Sequence, residues 1–249
     1  MARYTFGDDE PAVQRLALVA EAYEPISRPF LEQHVRRGAP LVVDAGCGPG
    51  FSTELLARVC GPHVLIGMDA SEAFLRSARA RVPAADFRSH DVTEVPFPTP
   101  PADAIYARLV LAHLGDPVAI LDRWRQQLAP DGVVVSEELE GVESPAGPLR
   151  DYDDLSTAMV RRGGGVMCAG PLLAHLGGRC AAVVASAALA ARIYLFNVRL
   201  WLERGDTGAS REDLVPLERA LADVARTPDH HTVAWIVRQT VLSPGTPLP

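Results

Sequence analysis

Three glycines, Gly46, Gly48 and Gly50, stand in "VVDAGCGPGFST" (42–53), between a valine run and an amphipathic segment. A strand that ends in a glycine turn and leads straight into a helix lets the backbone approach a ligand closely. The helix N-terminus adds oriented N–H groups and partial positive charge. The spacing is G-x-G-x-G. A dinucleotide fingerprint would need glycine where Phe51 stands, and a phosphate loop would need a Gly-Lys-Ser/Thr step that is absent. The loop therefore suits a cofactor without a pyrophosphate. Asp69 closes the next apolar run, where a carboxylate can accept from both hydroxyls of a ribose. Asp91, in "SHDV", closes the third and could accept from an adenine amino group, with Val92 offering its backbone N–H to the ring. Together these residues describe an adenosine site along the strand C-termini.

Other side chains have two readings each. His113, in "VLAHLGDP", could be a general base or could pack and hydrogen-bond locally. Glu137 and Glu138 are adjacent on a strand, so one should face the edge cleft and the other away. A structural or substrate-orienting role suits them better than that of a base. Cys47 lies inside the glycine loop, where a small side chain is tolerated, and has no nucleophilic partner in sequence. Tyr194 and Trp201 could line an aromatic pocket, but core packing is favoured. The four cysteines have neither metal-ligand nor redox spacing, so free thiols and no metal are expected.

The elements that must carry these residues alternate. Residues 10–37 read as one or two helices interrupted at Pro25, with "RRGAP" as a stop. Strands are expected at 41–46, 63–69, 85–91, 102–111 and in "VVVSEEL". Helices are expected in "FSTELLARVC", in "SEAFLRSARARV" with Ser71 as cap, and in "DPVAILDRWRQQL" with Asp116 as cap and Pro117 in the first turn. Alternation of this kind argues for a parallel sheet covered on both faces. Beyond residue 139 the pattern predicts helices in "PLRDYDDLSTAMVRRGG", "PLLAHLGG", "IYLFNVRLWLERG" and "REDLVPLERALADVAR", the last weakened by Pro216. Further strands are expected in "CAAVVAS" and "HHTVAWIVRQTVLSP".

The chain has 249 residues, 48% of them hydrophobic, so it can bury a substantial core. Its net charge of −7 and the lack of a basic stripe speak against nucleic acid and acidic membranes as partners. "MARYTFGDDEPAV" lacks the apolar core of a signal peptide, and no run reaches the length of a membrane span. A cytoplasmic location and one domain over 1–249 are expected.

The stretches "VVDAGCGPG", "GMDAS", "SHDVTEVPF", "ADAIYARLVLAHLGDP" and "LAPDGVVVSEE", in this order, resemble the class I S-adenosylmethionine-dependent methyltransferases. "RYTFGDDEPAVQRL" and "GGGVMCAGPLLAHL" are similar to a small-molecule subset common in actinobacterial chains. The resemblance implies a Rossmann-like α/β fold, with a seven-stranded, mostly parallel sheet whose last strand is antiparallel. It implies S-adenosylmethionine as cofactor and S-adenosylhomocysteine as product. Asp44 and the loop of Gly46, Cys47, Gly48 and Gly50 would contact the methionine part, Asp69 the ribose, and Asp91 with Val92 the adenine. Arg108 would lie near the methionyl moiety and the reacting centre. Tyr4 and Arg15 would reach the cofactor from a helical N-terminal cap (1–38), and Ala70, Phe74 and Leu109 complete the set. Residues 40–140 would be the cofactor core, 141–178 a lid over the acceptor, and 179–249 the closing strands and helices. The expected reaction is methyl transfer by in-line displacement to a small-molecule acceptor, a secondary metabolite, by a monomer or homodimer. Non-methylating chemistry such as a cyclization stays open on the same fold and cofactor. So does an accessory protein with a degenerate site, although the intact glycines and aspartates argue against it.

Overall fold

A computed structural model describes residues 7–162, 164–205, 209–227 and 231–245; Tyr4 lies outside them. In chain order the elements are α1 (Glu10–His34), β1 (Leu41–Ala45), α2 (Phe51–Val59), β2 (Val64–Asp69), α3 (Glu72–Arg81), β3 (Asp86–Ser89) and β4 (Ala102–Arg108). A 3₁₀ turn (Leu111–His113) leads to α4 (Pro117–Arg125) and β5 (Leu128–Glu143). Then follow α5 (Pro148–Arg162), α6 (Gly170–Leu173), β6 (Arg179–Ser186), α7 (Ala187–Arg204), α8 (Arg211–Arg226) and β7 (Thr232–Leu242).

The strands form one seven-stranded sheet in the order β3-β2-β1-β4-β5-β7-β6. The pairs from β3 to β5 are parallel, and β7 runs antiparallel to both β5 and β6. This is the expected doubly wound sheet with its last strand reversed. The strand order turns back at β1 and β4, which is where open α/β sheets leave a crevice beyond the strand C-termini.

Strand side chains alternate, so each parity faces one layer. Val42, Ala104, Tyr106 and Val135 meet Phe30, Leu31, Leu55, Leu56 and Val59 from α1 and α2. Val43, Ile66, Ile105 and Val134 face the other layer, where Ile120, Leu121 and Trp124 of α4 pack with Leu173 of α6. Trp124 is fully buried, and its Nε1–H donates to the Val92 carbonyl at 2.8 Å. Truncating it to alanine costs about 3–5 kcal/mol by the usual cavity arithmetic.

Three elements differ from expectation. Helix α1 is not interrupted: it continues through Pro25 and Pro29. The two prolines are spaced four apart on the exposed face, so the carbonyls they leave without an N–H partner turn to water. The buried face of Tyr23, Ser27, Phe30 and Leu31 holds the helix to the sheet. Strand β5 begins at Leu128, ahead of the Asp131-Gly132 step, with a register shift opposite Ala102 and Ala104. Helix α7 starts at Ala187, capped by Ser186, whose Oγ accepts from the Leu189 N–H.

Segment 141–178 is packed into the body of the protein. Leu149, Tyr152, Met159 and Val160 of α5 join the core of α7 and α8, and Gly170 of α6 lies against the Glu140 backbone. Tyr152 stacks between Tyr194 (centroids 3.8 Å apart) and Trp201 (5.6 Å). Those two aromatics are therefore core residues. Among the described residues no helix is long and apolar enough to cross a membrane, and no side-chain cluster could hold a metal ion. All four cysteines are free thiols.

Candidate cofactor site at the sheet edge

Asp44 is the next-to-last residue of β1 and is buried. Its Oδ2 accepts from Ser52 Oγ (2.7 Å) and Thr53 Oγ1 (2.6 Å), which ties the strand to the first turn of α2. Its Oδ1 is buried with no hydrogen-bond partner among the described residues. Burial raises the carboxyl to about 6; the Thr53 and Ser52 bonds and the Arg108 charge oppose that rise. Arg108 ends β4 on the same face as Tyr106, which pairs in register with Asp44. Its Nη1 is likewise buried without a partner among the described residues. A buried acceptor and a buried cationic donor, both unspent, fit the ammonium and carboxylate of an amino acid.

The glycine loop lies between β1 and α2. Gly46, Gly48 and Gly50 have φ of 73°, 53° and 87°, a region that side chains disfavour. A side chain on Gly46 would begin 2.6 Å from a methyl of Val110, whereas none of the described atoms lies within 4 Å of that position on Gly48. The loop is thus closed on one side and open on the other. Most of its amides are spent internally. Gly46 and Cys47 donate to the Met68 carbonyl (2.8 and 2.9 Å), Gly50 to the Cys47 carbonyl (3.0 Å), and Gly48 to Asp69 Oδ2 (2.9 Å). What the loop offers a ligand is its carbonyls, the open side of Gly48 and the first turn of α2, where Gly50 supplies no side-chain cap. Cys47 is buried, and burial pushes its thiol well above the ordinary range, so it is no nucleophile.

Asp69 ends β2. Its Oδ1 accepts from the Ser71 N–H (2.8 Å) and its Oδ2 from Gly48. Each oxygen keeps a second lone pair, enough for a pair of vicinal hydroxyls. Ala70 follows it, and Phe74 is buried in the first turn of α3, where its N–H donates to Ser71 Oγ (3.2 Å). Ser71 Oγ in turn donates to Asp8 Oδ2 (2.8 Å), which brings the start of the N-terminal cap beside Asp69. Asp91 lies just past β3; its Oδ1 accepts from the backbone and hydroxyl of Thr93 (2.9 and 2.7 Å). Val92 is buried beside it.

Just past Arg108, Leu109 is the one non-glycine residue with positive φ among the described residues, at 57°. Such a conformation costs on the order of 1–3 kcal/mol and persists only where neighbours impose it. His113 ends the 3₁₀ turn, exposed to solvent on one side. Burial, then the Arg15 charge, lowers its pKa to about 4. Arg15 is itself buried on α1.

A family model described as "Methyltransferase domain" matches residues 43–136, the span from the middle of β1 into β5. Over 254 aligned residues the chain is 34% identical to the trans-aconitate 2-methyltransferase of Methylobacterium radiotolerans, covering 98% of this chain and 79% of that protein. The chain belongs to the S-adenosylmethionine-dependent methyltransferases. It is 36% identical over 139 residues to the trans-aconitate 2-methyltransferase of Methylobacterium nodulans, a match spanning 55% of this chain and about half (53%) of that protein. An S-adenosylmethionine-dependent methyltransferase of Geobacter sulfurreducens, solved with S-adenosyl-L-homocysteine, shares the fold. Its TM-score is 0.52 at 17% identity, over 92% of this chain and 90% of that one.

S-adenosylmethionine is the cofactor of this methyltransferase family, and the residues present fit it: an orphaned acceptor at Asp44, an orphaned donor at Arg108, an open glycine and a carboxylate with spare lone pairs. Sequence reasoning missed Ser52, Thr53 and Val110. The first two are hydroxyls within reach of Asp44 along the strand–loop–helix step. Val110 carries no chemical signal at all. Glu137 and Glu138 face opposite sides of β5, as alternation requires, and both are buried. Glu137 accepts from the Tyr106 hydroxyl (2.5 Å) and from Gln239 Nε2 (2.7 Å), and Gln239 also donates to the Ile26 carbonyl of α1 (3.2 Å). That network bolts the N-terminal helix to the sheet.

Proposed function

We propose that the protein transfers the methyl group of S-adenosylmethionine to a small organic acid. The observation that carries the reading is the pair of buried, unspent groups of opposite charge, Asp44 Oδ1 and Arg108 Nη1, at the edge where the sheet order reverses. When bound, the cofactor supplies a methyl group already activated by a sulfonium. The chain's own residues then bind, orient and exclude water. Positioning of that kind is worth on the order of 7–11 kcal/mol in favourable cases. Asp44 and the loop would hold the methionine part with Arg108, Asp69 the ribose, and Asp91 with Val92 the adenine.

Two features support an acidic acceptor. Arg15 brings a buried positive charge to the His113 side of the site. Relatives of 34–38% identity over 139 residues or more carry the name trans-aconitate 2-methyltransferase. A carboxylate acceptor is already ionised and needs no base. That suits His113, which is neutral at physiological pH and a weak base, better placed to hydrogen-bond an acceptor than to deprotonate it. Helix α1 and segment 141–178 would enclose the acceptor. A role in secondary metabolism and a cytoplasmic location extend the same reading.

The test is incubation of the full chain with methyl-labelled S-adenosylmethionine and a panel of small di- and tricarboxylic acids, phenols and amines. Label should appear in an ester of a carboxylic acid. Transfer to phenols or amines alone would overturn the acid acceptor, and the release of unlabelled rearranged product would favour non-methylating chemistry.

A further inference from the structure

Glu138 is buried on the face of β5 opposite Glu137. Its Oε1 accepts from two successive backbone amides across the strand end, those of Val110 (2.8 Å) and Leu111 (2.7 Å). The amide before them, of Leu109, donates to the Glu137 carbonyl at 2.8 Å. Three consecutive amides are therefore fixed by two consecutive residues of the neighbouring strand. Within that run the chain passes through the left-handed conformation of Leu109. The bend has two consequences. It seats the methyls of Val110 against Gly46, 2.6 and 2.8 Å from where a side chain there would begin. It also sets the direction in which the chain leaves Arg108 and reaches His113.

We propose that Glu138 is the positioning residue of the cofactor site: its carboxylate clasps the Val110 and Leu111 amides, and the Val110 side chain so placed braces the glycine loop. The inference rests on the cofactor reading above and assigns it a residue that acts through Val110. A carboxyl suits the task because one of its oxygens can take two N–H donors; burial raises the group to about 7, and the Leu111 and Val110 bonds oppose that rise. An alanine would leave both amides buried without a partner. A glutamine keeps a carbonyl in the same place.

The experiment compares wild type, E138A, E138Q and V110A as full chains. S-adenosylhomocysteine affinity is measured by calorimetry and exchange of the Val110 and Leu111 amides by NMR, with the thermal midpoint recorded for each. E138A should speed exchange at both amides and weaken binding by about tenfold or more. E138Q should stay within about threefold of wild type, since its carbonyl still accepts. V110A should keep both amides protected and still lose affinity, because only the brace is gone. It also decides the matter should E138A fail to fold. Wild-type affinity in E138A or in V110A overturns the proposal. So does an E138Q that binds as poorly as E138A while its amides stay protected, since the carboxylate would then act by charge on the ligand. No binding by wild type would instead overturn the cofactor reading itself.

Discussion

Val110 and Gly46 are in contact across the sheet edge: a side chain on Gly46 would begin 2.6 and 2.8 Å from the two Val110 methyls. The glycine also has a φ of 73°. G46A should therefore suffer twice, from the clash and from the backbone, losing on the order of 2–4 kcal/mol of stability together. Adding V110A should restore the packing part and leave the backbone part. Urea denaturation of G46A and the double variant checks this; equal stability of the two would show that the contact carries no strain.

Asp44 should make cofactor affinity depend on pH. Burial raises its carboxyl to about 6 from an ordinary 3.8. A carboxyl raised in the folded state stabilises the fold fully below its unfolded value, and that contribution is lost as pH rises through about 6. A bound ammonium reverses the preference and favours the carboxylate. S-adenosylhomocysteine affinity should fall as pH drops from 7.5 to 5, approaching about tenfold per pH unit below 6. D44N should bind more weakly and with a flatter pH dependence. Calorimetry across this range is the measurement, and a wild-type affinity constant from pH 5 to 7.5 would show that Asp44 does not titrate against the ligand.

His113 should leave no acidic limb near its ordinary pKa. Burial and the Arg15 charge lower it to about 4, so the ring stays neutral from pH 5 upward. Its neutral form is favoured in the fold above the unfolded value near 6.5, and that preference is lost only as pH falls through about 4. For a carboxylate acceptor, H113A should reduce turnover by about tenfold or less, with the shape of the pH–rate profile unchanged above pH 5. A loss nearer ten-thousandfold together with a vanished acidic limb would make His113 the essential base.

How much of this was legible in the sequence depended on the range of the interaction. Asp44, Asp69 and Asp91 could be placed at strand ends because apolar runs stop there and glycine or cap residues follow within a few positions. β7 was legible as "TVAWIVRQTVL" from its alternation. Pro25 misled because a proline breaks a helix or not according to the face it occupies, which only the packed α1 reveals. The start of β5 was hidden because Pro130-Asp131-Gly132 reads as a turn, while its pairing with Ala102 is set by the neighbouring strand. The hold of Glu138 on Val110 and Leu111 and the contact of Val110 with Gly46 join residues far apart in the chain. One uses backbone amides and the other methyl groups, neither of which leaves a mark on residue type.

The account stands on a nucleoside held at the C-terminal edge by Asp69 and Asp91. Its most direct test is calorimetric titration of the full chain with S-adenosylhomocysteine, wild type beside D69A/D91A, with circular dichroism to confirm that both are folded. Saturable binding by wild type and affinity weaker by about a hundredfold or more in the folded double variant is the expected result. Undiminished affinity in that variant would contradict it, for the ligand would then lie elsewhere.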